Sequence, residues 1–99
     1  MTMDEFKHTL KDNQPPQDCS SLLRALWHDR KGDWDHAHKL AQDVSSKDGS
    51  RVHAYLHRKE GNEGNAGYWY QIARQGFCRE TLEQEWEKLA GDFLSKASE

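Results

Sequence analysis

Proline is almost missing from this chain: Pro15 and Pro16 are the only two in 99 residues. Helices can therefore run uninterrupted anywhere after residue 17, because proline is the residue that most strongly breaks them. Cysteine is as scarce. Cys19 and Cys78 stand far apart in no metal or redox spacing, which excludes a disulfide framework and reads as two reduced, partly buried thiols of a cytoplasmic protein. No apolar run approaches the roughly 20 residues that cross a bilayer, and Met1 to Leu10 lacks a signal peptide's apolar centre. No membrane partner is expected. An excess of basic charge is missing too: 14 Lys and Arg against 17 Asp and Glu leave a net charge of −3 with the signs interleaved. Without a basic stripe, no nucleic-acid partner is expected. Gly61, Gly64 and Gly67 follow no strand and so form no phosphate loop. No serine sits in a glycine-flanked elbow. The sequence thus offers no catalytic residue and no cofactor.

What is abundant is aromatic. Four Trp, three Tyr and three Phe compensate for a hydrophobic content of only 34% beside 31% charged residues. Each aromatic buries a large area for one ordered side chain. A chain this long makes a single domain and removes roughly two-thirds of its unfolded surface from water.

The sequence also repeats itself. A shift of 29 residues carries Ala25, His28, Gly32 and Ala37 onto Ala54, His57, Gly61 and Ala66, with Asp33 falling on Asn62. Each position has a physical role. Gly32 and Gly61 suit the left-handed residue that ends a helix. Asp33 and Asn62 suit the cap that begins the next, and the alanines let two helices approach closely. Each unit therefore predicts an αα-hairpin. Apolar spacing agrees, with stripes at Cys19, Leu22, Leu23 and Leu26; Trp34, Ala37, Ala41 and Val44; Val52, Tyr55 and Leu56; and Ala66, Trp69, Tyr70 and Ala73. Asp48-Gly49-Ser50 reads as the turn between units and the cap of the third helix.

Lys31-Gly-Asp-Trp-Asp-His-Ala37, with Ala25 seven residues before the glycine, resembles the tetratricopeptide repeat. The resemblance runs from Ser20 to Phe77 and implies stacked antiparallel hairpins, although the period is 29 rather than about 34 residues. The run His53-Ala-Tyr-Leu-His57-Arg58-Lys-Glu60-Gly61, continuing to Asn65-Ala66-Gly-Tyr68-Trp69-Tyr70, is similar to a signature of small, mostly bacterial proteins of unknown function.

Outside the repeat, Asn13-Gln-Pro15-Pro16-Gln17 interrupts any helix begun at Met3, so residues 1–17 read as a flexible or short-helical arm. Thr81-Leu-Glu-Gln84 is a capping box before an apolar face of Leu82, Trp86, Leu89, Ala90 and Phe93. The expected fold is all-α: two stacked hairpins and a C-terminal capping helix within a domain at 18–99.

Function is read from what this fold would expose. By the tetratricopeptide resemblance, Arg51, Tyr55, Arg58 and Lys59 line a groove, where an aromatic among cations suits an acidic peptide or protein segment. A non-enzymatic interaction module, monomeric or weakly dimeric, is the leading expectation. Arg58 and Lys59 also lie at a helix C-terminus, where cations complement the dipole; Arg51, near a helix start, has no such reason. The alternative is a small-molecule or metal site, catalytic or not, around His53, His57, Glu60, Tyr68 and Trp69. Self-assembly through an open edge is a third reading. His53 and His57 are one turn apart, a spacing that lets two imidazoles reach one metal. Yet His28 and His57 are equivalent by the repeat, so both read as packing residues, and no metal is expected.

Overall fold

A short polar side chain takes up a free backbone N–H at the start of nearly every helix. In the computed structural model, which describes residues 1–97, these are α1 (Met3–His8), α2 (Ser21–Arg30), α3 (Trp34–Gln42), α4 (Lys47–Glu60), α5 (Glu63–Ile72) and α6 (Leu82–Ala97), with a 3-10 turn at Thr9–Lys11. Among the described residues there is no strand. Thr2, Ser20, Asp33, Ser46 and Asn62 cap the first five helices. Thr81 and Gln84 exchange hydrogen bonds of 3.0 Å before α6, forming the expected capping box.

The two repeated turns close alike. Gly32 and Gly61 have φ of +89° and +92°, a conformation that only glycine adopts without strain. The next N–H then reaches back five residues, Asp33 to the His28 carbonyl and Asn62 to that of His57, at 2.9 Å each. This is the bonding that satisfies the last carbonyls of a helix. As a result α2 packs along α3 and α4 along α5, while α3 also meets α4 and α6 lies against α2 and α4.

The main core gathers Leu22, Leu23, Leu26, Trp27, Val52, Tyr55, Leu56, Trp86, Leu89 and Phe93. Ala25, Ala37, Ala54 and Ala66 are each fully buried, so their small size sets the close approach within each pair. Two features depart from the sequence reading. Asp48, Gly49 and Ser50 are helical, and the cap of α4 is Ser46, whose Oγ accepts from Gly49 N–H at 3.1 Å. Gly49 is needed for space: a Cβ there would lie 2.0 Å from the Val44 carbonyl oxygen. The N-terminal segment, for its part, supplies a core residue. Phe6 is fully buried on the Trp86 ring, 5.9 Å between centroids, and Lys7 pairs with Glu87.

Candidate functional site

The four groove residues share α4, but each side chain, including the exposed Lys59, is paired with another group of the same chain. Arg51 is buried between Asp48 (3.2 Å) and Asp92 (2.7 Å). Tyr55 is buried with its hydroxyl donating to Asp29 at 2.6 Å; burial and that carboxylate push its ionisation well up. Arg58 donates to the carbonyls of Cys78 and Glu80 and lies 3.2 Å from Glu85. Lys59 pairs with Asp29 at 2.8 Å. No open basic face results. The reason Arg51 needed is an internal one: two carboxylates, one of them 41 residues away in sequence.

The histidines are arranged otherwise. His53 and His57, one turn apart on α4, both face α3, where His38 meets them. Nε2 of His38 lies 2.8 Å from Nε2 of His53. The ring centroids are 4.5 Å apart for His38 and His53, 5.1 Å for His38 and His57, and 4.8 Å for His53 and His57. Each imidazole offers one nitrogen within 4.8 Å of the other two. His53 and His57 are buried and His38 is half-buried.

Neighbouring rings hold this geometry. Trp69 on α5 stacks on His53 at 3.9 Å, and Trp34 on α3 stacks on His38 at 4.8 Å. Trp34 is itself tied down, its Nε1–H donating to the Leu56 carbonyl at 2.8 Å. Glu60 accepts from Nδ1 of His57 at 2.6 Å. With the Glu60 carboxylate accepting at Nδ1, Nε2 is the nitrogen left for another partner, the arrangement in which a carboxylate behind a histidine orients it for a metal. Asn65 Nδ2 stands 3.5 Å from Nε2 of His57.

Electrostatics disfavour charge on two of the three rings, His53 and His38. Burial, followed by the nearby His38 and His57, lowers the His53 pKa to about 4. Burial and then His57 lower that of His38. Two adjacent imidazolium ions would repel one another in a site with little water. At neutral pH His53 is therefore a neutral ring, and one Nε2 of the His38–His53 pair donates its proton to the other. Neutral imidazole is the form that binds metal.

One edge of the cluster borders a cleft. His53 and Trp69 line a cleft of about 390 Å3 together with Ala41, Val44, Ser50 and Ile72. Of the alternative set read from the sequence, His53, His57, Glu60 and Trp69 thus belong to one site. Tyr68 does not: it is 57% exposed and touches only the Trp69 edge among them. Sequence reading missed His38 and Trp34. Their signal was present as a Trp-x-x-x-His pair at one-turn spacing, on the helix preceding the His-x-x-x-His pair. Comparison with known protein families, with characterised proteins and with solved structures finds no match to this chain.

Proposed function

We propose that this chain is a metal-binding domain that holds one divalent first-row transition-metal ion through Nε2 of His38, His53 and His57. The observation that carries the reading is the convergence of three imidazoles from two helices, each fixed by its own partner: Trp34, Trp69 and Glu60. Ligands about 2.0–2.1 Å from a tetrahedral zinc ion lie roughly 3.3 Å from one another. The 2.8 Å between the Nε2 atoms of His38 and His53 is a shared-proton distance. Zinc would take the place of that proton and spread the two rings by about half an ångström. Imidazole donors suit zinc, copper, nickel and cobalt, and not magnesium or calcium. Three protein ligands leave a fourth position for water or a small ligand, with the cleft beside His53 as its approach.

The architecture of this reading is the tetratricopeptide-like one, with α2–α3 and α4–α5 as two stacked hairpins and α6 as their cap. The identical closure of both turns and the contact of α3 with α4 support it. The metal site then lies at the junction of the hairpins. A peptide groove on α4 is the weaker reading, because an acidic ligand would first have to displace Asp48, Asp92, Glu85 and Asp29 from the cations it needs.

The test is a competition titration of untagged, metal-free protein with zinc against a chromophoric chelator. One tight equivalent is expected, and His38→Ala should weaken it at least 100-fold while leaving helicity intact. Equal affinity in the wild type and His38→Ala would reject the site.

A further inference from the structure

The three-histidine cluster leaves His28 and His36 unused, and these two meet in the first helix pair. His28 lies near the end of α2, and His36 in the first turn of α3. Their rings stack with centroids 3.8 Å apart and planes 22° from parallel. Asp33 completes the group. Its Oδ1 accepts from the His36 backbone N–H at 3.2 Å, which fixes the carboxylate, and its Oδ2 lies 3.7 Å from Nδ1 of His36. His28, Asp33 and His36 each offer one ligand atom within 4.8 Å of the other two.

The 3.7 Å separation is too long for a hydrogen bond and near the roughly 3.3 Å between two ligands of one tetrahedral ion. The repeat explains why these side chains meet. A shift of 29 residues carries His28 onto His57 and His36 onto Asn65, and that pair is also in contact, at 3.5 Å. The turn brings the two positions together in both hairpins. In the second it joins an imidazole to an amide; in the first it joins two imidazoles beside a carboxylate. Capping accounts for Asp33, and edge-on packing against Trp27 accounts for the body of His28. Neither accounts for His36, whose side chain is 48% exposed and held on the His28 ring.

We infer that His28, Asp33 and His36 form a second site for a divalent transition-metal ion, with two nitrogens and one oxygen from the protein and water in the other positions. It is independent of the three-histidine site. Two imidazoles with a carboxylate select zinc, nickel, cobalt or copper over magnesium. Affinity should be at least tenfold below that of the buried site, because Asp33 and His36 are exposed and water screens their attraction for the ion.

The experiment is calorimetric titration of the untagged, metal-free full chain with zinc chloride. Wild type should take up two equivalents, one tight and one weaker. His36→Asn gives the first hairpin the residue type found at the matching position of the second, so the fold should persist by circular dichroism. This variant should lose only the weaker equivalent, and His38→Ala only the tighter one. Retention of the weaker equivalent in His36→Asn, or a single equivalent that His36→Asn leaves unchanged, overturns the second site. A lone equivalent that His36→Asn abolishes and His38→Ala preserves supports it and rejects the three-histidine site instead.

Discussion

Trp86→Ala should cost about 4–5 kcal/mol of folding stability, at the upper end for deletion of a large aromatic from a core. Trp86 is fully buried and joins three parts of the chain. Its ring receives Phe6 from α1, its Nε1–H donates to the Leu26 carbonyl of α2 at 2.9 Å, and the Arg30 guanidinium lies over it at 3.9 Å. The truncation would undo all three together and leave a void that Phe6 cannot fill, since α1 is tied to α6 by the Lys7–Glu87 pair. Native domains are stable by only about 5–15 kcal/mol, so this variant stands near the edge of folding. Urea denaturation followed by circular dichroism measures the loss. A cost below 1 kcal/mol would mean that α1, α2 and α6 do not depend on this ring. Trp69→Ala makes the control: Trp69 is half-buried and packs on His53, and its removal should cost no more than about 2 kcal/mol.

The second large effect is metal-linked stability. A ligand that binds only the native state adds about 4 kcal/mol when its free concentration is 1,000 times its dissociation constant. For a domain of this size that corresponds to a rise in Tm of roughly 15–30 °C. Zinc should therefore raise the Tm of the wild type by that order. His53→Ala should remove most of the rise, because in the proposed site His53 would supply one ligand, and it abuts His38, which would supply a second, at 2.8 Å. Thermal scans with zinc and with excess chelator separate this from any packing loss, which would lower the metal-free Tm as well. An unchanged zinc-induced rise in His53→Ala would exclude the imidazole as a ligand.

Features set by short-range chemistry were legible in the sequence. Gly32-Asp33 and Gly61-Asn62 mark the two turns because a left-handed residue followed by a cap is a local requirement, and the structure closes both turns in that way. The capping box at Thr81 and the buried face of α6 were legible for the same reason. What escaped depends on contacts distant in sequence. Phe6 shares a six-residue helix with one other apolar residue, Met3, and it reaches the core by stacking on Trp86, 80 residues on. Asp48-Gly49-Ser50 has turn composition, yet Gly49 serves the close approach of the Val44 carbonyl within a helix start. Arg51 looked free for a ligand because Asp92 comes from another helix.

The histidines illustrate the same division. One-turn spacing placed His53 and His57 on one face, and Glu60 within reach of His57. His38 lies on a different helix, two residues from His36, a spacing at which two helical side chains diverge. They do diverge, each towards a different partner: His36 to His28 and His38 to His53. The repeat made His28 and His57 look like packing residues. In the structure that equivalence instead places both beside a second polar side chain across the turn.

Imidazole nitrogen chemical shifts, followed by long-range 1H–15N correlation while zinc is added to metal-free protein, test the three-histidine centre most directly. The account predicts that with the first equivalent Nε2 of His38, His53 and His57 take on the shift of metal-bound nitrogen, while Nδ1 of His57 stays protonated on Glu60. First-equivalent shifts confined to other histidines, or coordination through Nδ1 of His57, would contradict it.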